Sequence, residues 1–520
     1  MPEKPTRHGL VVVALAALAA VAMVAVPLLP RGTDVYPHVL WTWQVQRCLA
    51  AGALPVWLPD LNAGFGSPGI RLYSPLGPLL SGALALALGD VGRGIRAALV
   101  LAAGALILVA RRYRLLWAAP LLLLSPTVVF EAAFRFPVSQ LLALPLLFLV
   151  LLRAASEEEP TWDVTAVLLA CLWLLHALSA ALALPLVALL SARSWRRLWH
   201  FALASLTAAA LAAWHWLPLV AETRGGTFAA ALTSGDLHPL RNLLGTPGAH
   251  VVDHNMALGW AAVGILAALL IGGVCRTLPA LLAAGCVFMA SLLATPLWTW
   301  LPILSWFQLP WRWLLPATVL ALIALGQAPT RRRAAAAAAL LAPLLAPPPA
   351  SLVPAPALGA RTNWVEAGQR VFASFEGNPL LVDVIEHRPE WWSELGPTIQ
   401  RFGDRPLLLV PATAGRVRIL EQRVTARTFT LELSRPALLA LRVLFDPHFR
   451  AELDELPTPV ERRGAAVAVA VPPGRHTLRV FWALDAASRL GGVVSLLTAT
   501  ALLAYRLHGR RRRAPAPPPP

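Results

Sequence analysis

Lysine is almost missing from this chain. Lys4 is the only one in 520 residues, although Lys and Arg together number 44. Charge of either sign is scarce, at 14% of the sequence, where a soluble domain carries about a quarter. Together with 57% hydrophobic residues and a mean hydropathy of +0.63, that shortage excludes a water-soluble globular protein. Cysteine is scarce as well. Cys48, Cys171, Cys275 and Cys286 show no paired spacing, and three of them lie within or beside apolar runs. Neither a disulfide scaffold nor a thiolate metal site is indicated. The sequence contains no nucleotide-type glycine loop and no HExxH, so ATP hydrolysis and zinc proteolysis lack their motifs.

What is present is arginine, in clusters. The net charge of +17 suggests nucleic acid until its placement is read. The arginines bunch at Arg111, Arg112 and Arg114, at Arg193, Arg196 and Arg197, at Arg331–Arg333 and at Arg510–Arg513. Each cluster borders an apolar run, which is the positive-inside bias of membrane proteins. Residues 361–487 hold sixteen arginines against fifteen acids, so the excess lies outside that segment. No nucleic-acid partner is expected.

Apolar runs fall near 9–29, 74–88, 94–110, 115–130, 138–152, 163–177, 178–191, 199–219, 257–273, 277–294, 312–327, 334–350 and 488–506. The first follows Lys4 and Arg7 and is longer than the apolar part of a signal peptide, so it reads as a retained helix. If 74–88 crossed fully, every later basic cluster would be inverted. The SPLGP that opens it suits a helix start or a re-entrant break. With 74–88 re-entrant, about 12 crossings remain and all the basic clusters fall on the inner side. Segments 31–93, 131–137, 220–256 and 351–487 then face outward. The last has room for a domain of its own. RPLLLVPA, GRVRILEQ, ARTFTLELS, ALLALRVLF, AAVAVAVP and RHTLRVFWAL alternate partly with period two between Pro and Gly, which predicts a small antiparallel sandwich. The closing APAPPPP predicts a disordered tail.

The polar residues gather at the outer rim. TDVYPHVLWTWQVQRCLAAGALPVWLPDLNAGFGSP, residues 33–68, sets Asp34 and His38 among aromatics directly past the first run. Asp34 is either a solvated acid at a helix end or a general base. In SPTVVFEAAFRFP, Glu131 and Arg135 are four apart and share a helical face. They make either a structural ion pair or a second acid beside a phosphate-binding arginine. In WTWLPILSWFQLPWRWLLP, Arg312 is the only charge within 277–330, flanked by Gln308, Trp311 and Trp313. It either snorkels to headgroups or clamps a phosphate. His176 and His215 fall in apolar spans, with His176 near the outer side, where packing and hydrogen bonding suffice to account for a histidine. His250, Asp253 and His254 have a spacing like that of metal ligands, but three residues in one loop do not by themselves make a metal site.

Several pieces resemble a known group. They are DVYPH (34–38), GALPVW (52–57), GFGSP to YSPL (64–76), Glu131 with Arg135, FQLPWR (307–312), IEHRPEW (385–391) and PPGRHTLRVFW before the last run. The chain is similar to bacterial multispanning membrane proteins labelled 6-pyruvoyl-tetrahydropterin-synthase-related and, more distantly, to YfhO-like proteins of the GT-C glycosyltransferase superfamily. No pterin-synthase histidine triad accompanies the pattern, so pterin chemistry is not implied. The resemblance implies a polytopic α-helical membrane protein with a GT-C-like part at 1–350, an extracytoplasmic β-rich domain at 351–487, a final helix at 488–506 and a cytoplasmic tail at 507–520. It places the protein in the bacterial inner membrane with both termini cytoplasmic. It implies sugar transfer from a polyprenyl-phosphate donor to an extracytoplasmic glycan, lipid or protein acceptor. Asp34 and Glu131 would be the catalytic acids, and His38, Tyr73, Arg135, His176, Trp311 and Arg312 would bind substrate or phosphate. No cofactor is expected. GT-C proteins often pair two acids around a divalent cation such as Mg or Mn, and Asp34 departs from that by standing alone. A flippase for lipid-linked sugars predicts polar groups at mid-membrane and internal repeats, and a non-catalytic envelope protein predicts a groove that tolerates loss of Asp34.

Overall fold

The computed structural model describes residues 35–68, 70, 73–156, 161–223, 240, 243–244, 252–307, 309–345, 392–403 and 405–513. Sixteen labelled helices organise it: α1 (Val35–Ala50), α2 (Leu76–Leu88), α3 (Val91–Arg112), α4 (Ala118–Leu123), α5 (Pro126–Phe134), α6 (Val138–Ala155), α7 (Trp162–Leu175), α8 (Ala177–Ser191), α9 (Trp195–Leu211), α10 (Ala213–Thr223), α11 (Val252–Gly272), α12 (Leu278–Ala290), α13 (Leu314–Leu325), α14 (Thr330–Leu341), α15 (Trp392–Phe402) and α16 (Ala486–Arg513). Among the described residues, α3, α6 and Ala486–His508 of α16 are long and apolar enough to cross a membrane. The pair α9 and α10, bent by 72°, makes a fourth if taken as one span, and six further apolar helices are shorter. The chain is therefore a helical membrane protein carrying a C-terminal β-rich domain. The first apolar run, 9–29, lies outside the described residues.

Local chemistry sets the breaks. Gly89 (φ +69°) ends α2 in the left-handed conformation that costs glycine least, and Asp90 caps α3 by accepting from the Arg93 amide at 2.7 Å. That tight reversal lets α2 and α3 pack closely, so that a Cβ on Gly94 would lie 2.5 Å from the Ala85 nitrogen. Run 115–130 reads in the sequence as one helix, but the structure divides it into α4 and α5. Ser125 caps the second, with Pro126 as its first residue, and proline there cannot continue an incoming helix but starts a new one well. The run at 334–350 is likewise cut short, because α14 ends at Leu341 and a 3-10 turn covers Ala342–Leu345. The largest core cluster joins α3 to α9 with α11 to α14. At its centre every residue of α13 is buried, as befits a helix apolar on all sides.

The C-terminal β-rich domain pairs two antiparallel sheets. Strands β1 (Leu407–Val410), β4 (Ala437–Leu444), β8 (Ala466–Val471) and β7 (Glu461–Arg463) form one, in that order. Strands β2 (Gly415–Gln422), β3 (Ala426–Leu433), β9 (Gly474–Trp482), β5 (Phe449–Leu453) and β6 (Leu456–Thr458) form the other. Alternation along β9 buries Leu478, Val480 and Trp482 and exposes Thr477 and Arg479. Residues 351–391, assigned to this domain in the sequence, lie outside the described residues.

Trp57 and Phe65 of the first loop belong to the sandwich core. The loop is closed by paired bonds between Leu58 and Ser67, at 2.8 and 3.0 Å. A Cβ on Gly66 would strike the Trp57 indole. The Leu444 amide then donates to the Phe65 carbonyl at 2.6 Å, joining the loop to β4.

Candidate active site

Residues 73–77 are where the helices meet. The Tyr73 ring lies 4.7 Å from Trp41 and 5.8 Å from His38, centroid to centroid, and His38 stands edge-on to Trp41 at 5.4 Å. His38 and Trp41 sit three apart on α1, which brings both onto one face. The Tyr73 carbonyl accepts from His215 Nε2 on α10 at 2.9 Å. Ser74 Oγ accepts from the Ala177 amide at 2.8 Å. That fixes the segment to the α7–α8 junction, where His176 caps α8 through Ser179. On the far side Gly77 presses on Ser139, where a Cβ would come within 3.3 Å of the Ser139 Cα.

Glu131 and Arg135 reach this end through their own element. They occupy the last turn of α5 and its cap, paired at 3.1 Å with side chains 4% and 13% exposed. The next residue, Phe136 (φ +55°), turns into a cluster with Val39, Ile95 and Val138. Arg312 comes from a 3-10 turn at Pro310–Trp313 and donates to the Phe307 carbonyl at 3.1 Å, with both Arg312 and Trp311 buried. Three contacts place it relative to Glu131. Leu115 meets Gly326, the Arg333 guanidinium covers the Trp117 ring at 5.0 Å, and Thr127 bonds Thr318 at 3.0 Å. Stretches 115–127 and 318–333 therefore run past each other in opposite directions. Glu131 lies one turn beyond Thr127 on α5, and Arg312 lies just before α13, so both fall beyond the Thr127–Thr318 contact on their own elements.

The sequence-predicted residues thus fall into two groups at one end of the helical part. His38, Tyr73 and His176 are joined by residues 73–74. Glu131 with Arg135 is joined to that group through Phe136, and α5 touches α13, the helix that the Trp311–Arg312 turn leads into, at Thr127 and Thr318. Asp34 lies outside the described residues, immediately before α1. Gln308 and the side chains of His250, Asp253 and His254 also lie outside them. Among the described residues no three His, Cys, Asp or Glu side chains gather where a metal ion could bind.

Sequence reasoning left His215 as one histidine in an apolar span. Its signal was that placement itself, since a buried imidazole needs two partners, and the structure supplies Tyr73 and Trp173. Asp60, within the same 33–68 stretch as Asp34, is a second residue whose role the sequence does not show. Gln44 brackets it, donating to its carboxylate at 3.0 Å and accepting from its amide at 3.1 Å, and Arg47 pairs with it at 3.1 Å. Across from it in the sandwich, burial and the neighbouring Arg442 push Arg427 down to about 10, against the opposing pull of Asp60.

No protein-family model matches the sequence, and no curated protein matches it. Among solved structures the chain is similar to the arabinofuranosyltransferase AftD from Mycobacteria, determined by single-particle cryo-EM. Identity is 19% over 64% of this chain and 26% of that one, with a TM-score of 0.40. The chain spans about a quarter of that protein's length. Similarity at this level assigns the chain neither a family nor an activity.

Proposed function

We propose that the chain is a GT-C-type membrane glycosyltransferase that moves a sugar from a polyprenyl-phosphate donor to an acceptor outside the cytoplasm. The observation that supports this most is the gathering of His38, Tyr73, His176 and the Glu131–Arg135 pair at one end of the helical part, beneath a loop capped by the sandwich. That end lies away from the arginine clusters, so the positive-inside bias makes it the outer one.

In the reaction, Asp34 takes the proton of the acceptor hydroxyl as its oxygen attacks the anomeric carbon. The bond to the donor phosphate breaks on the opposite face, inverting that carbon. The leaving phosphate needs no proton, but its charge needs a cation, and Arg135 and Arg312 are the residues that supply one. The polyprenyl tail lies among the apolar helices. In this reading the chain crosses the bacterial inner membrane about 12 times with both termini inside, an arrangement that also seats the acceptor under the sandwich.

The test is glycolipid and glycan output from wild type and Asp34→Asn at equal expression. Asparagine keeps the shape and removes the base, so output should drop at least about a hundredfold. Equal output from the two proteins would remove Asp34 from the mechanism.

A further inference from the structure

The bend between α9 and α10 opens two backbone groups inside the apolar part of the molecule, and a single side chain on a distant element closes both. Ser495 of α16 accepts from the Trp214 amide at 3.0 Å and donates to the Ala210 carbonyl at 3.1 Å. A broken helix is tolerated in a membrane only where such freed groups find partners. One turn earlier on α16, Gly491 lies so close that a Cβ would strike the Ala213 carbonyl oxygen. Both ends of α16 are held. Asp485 accepts from the Ser488 amide at 2.7 Å and faces His448 Nε2 at 3.5 Å. At the far end Arg506 pairs with Asp163, and Tyr505 packs on Trp162 at 5.4 Å.

His215 is the first side chain past that bend to reach the candidate site. Its Nδ1 accepts from the Trp173 indole at 3.2 Å. An indole nitrogen only donates, so the His215 proton must sit on Nε2. From there it is donated to the Tyr73 carbonyl at 2.9 Å, and the Tyr73 ring packs on His38 and Trp41.

We propose that Ser495 and His215 are positioning residues for the candidate site: Ser495 locks the α9–α10 bend, the bend aims His215 Nε2–H, and His215 fixes the Tyr73 segment. The structural half stands on these bonds alone, and its effect on turnover rests on the glycosyltransferase reading. The last helix thereby links the sandwich to the site, and loss of one hydroxyl on α16 is felt at Tyr73 without touching substrate.

The experiment uses full-length protein in nanodiscs with ¹⁵N-labelled histidine, the His215 signals being identified by their disappearance in His215→Gln. Wild type should show Nδ1 bare and Nε2 protonated. Ser495→Ala should average or shift that pair, and Ser495→Thr, which keeps the hydroxyl, should retain it. If the alanine variant does not assemble, Gly491→Ala forces the same helix off Ala213 and should shift the same signals. A wild-type His215 spectrum in Ser495→Ala, or in Gly491→Ala where that replaces it, overturns the lock. The second arm is the initial rate of glycolipid formation in membranes at equal expression. Ser495→Ala should slow it about fivefold, as expected for a net loss of roughly one hydrogen bond, with Ser495→Thr restoring it. An unchanged rate overturns the effect on turnover. A wild type that forms no glycolipid defeats the glycosyltransferase reading instead, and the ¹⁵N signals still decide the lock.

Discussion

Glu131 and Arg135 show how burial changes the meaning of a charge pair. At the surface such a pair contributes little, but here the side chains are 4% and 13% exposed, and taking away one partner removes a close opposite charge from a buried one. Glu131→Ala should therefore destabilise the protein by about 3 kcal/mol, read from thermal unfolding in detergent. Adding Arg135→Met should recover part of that loss by removing the buried charge that faced Glu131. Glycolipid output separates structure from chemistry: if Glu131 acts on substrate, the double variant regains stability without regaining output. Cys48 gives a simpler case. Burial and the Asp60 charge push its thiol up to about 11, against the pull of Arg47. At pH 8 only about one molecule in a thousand then carries the thiolate that reacts. Maleimide should leave Cys48 unlabelled in native protein at that pH and label it in denaturant.

At the scale of elements, the β5–β6 hairpin carries a local cost that can be relieved. Leu453 pairs with Leu456, so only Asp454 and Glu455 make the turn, with φ of +51° and +68°. A two-residue turn with both φ positive favours Asp-Gly, because glycine has no Cβ to strain at the second position. Asp454 is held usefully, accepting from the Thr477 amide at 2.8 Å and meeting His476 at 2.7 Å, whereas Glu455 is exposed. Glu455→Gly should stabilise the protein by about 0.5–1 kcal/mol, and a lower melting temperature in that variant would show that the strain lies elsewhere. Much at this scale was legible in the sequence. Runs 94–110 and 138–152 sit inside α3 and α6, and GRVRILEQ is β2 to the residue, because apolar length and alternation are local properties. The division of 115–130 was written there too, as Ser125-Pro126, but hydrophobicity alone passes over it. Strands β5, β6 and β7 were missed because strands of three to five residues are too short to show a period. The site was legible only as residue types near one boundary. Its wiring was not, since Ser74 bonds Ala177 and His215 bonds Tyr73 across 103 and 142 residues.

For the molecule as a whole, the question is whether the sandwich is an appendage or a working part. Two aromatic contacts favour the second. Trp57 meets Phe449 edge-on at 5.0 Å, and Phe65 meets Phe402 at 5.2 Å. Both loop residues are nearly fully buried. They enter the sandwich core from a loop whose other end is Tyr73, so loop and sandwich share one core although over 300 residues separate Phe65 from Phe402. A shared core makes unfolding cooperative across the junction. Wild type should melt in one transition, followed by both far-ultraviolet circular dichroism and tryptophan fluorescence. Phe65→Ala removes a fully buried ring and should cost about 3–4 kcal/mol. With Trp57→Ala added, the junction should lose its hold, and the two probes should separate into distinct transitions. Coincident transitions in the double variant would mean that the sandwich is held by α16 alone. The first loop would then have to order the candidate site without the cover that the sandwich gives it.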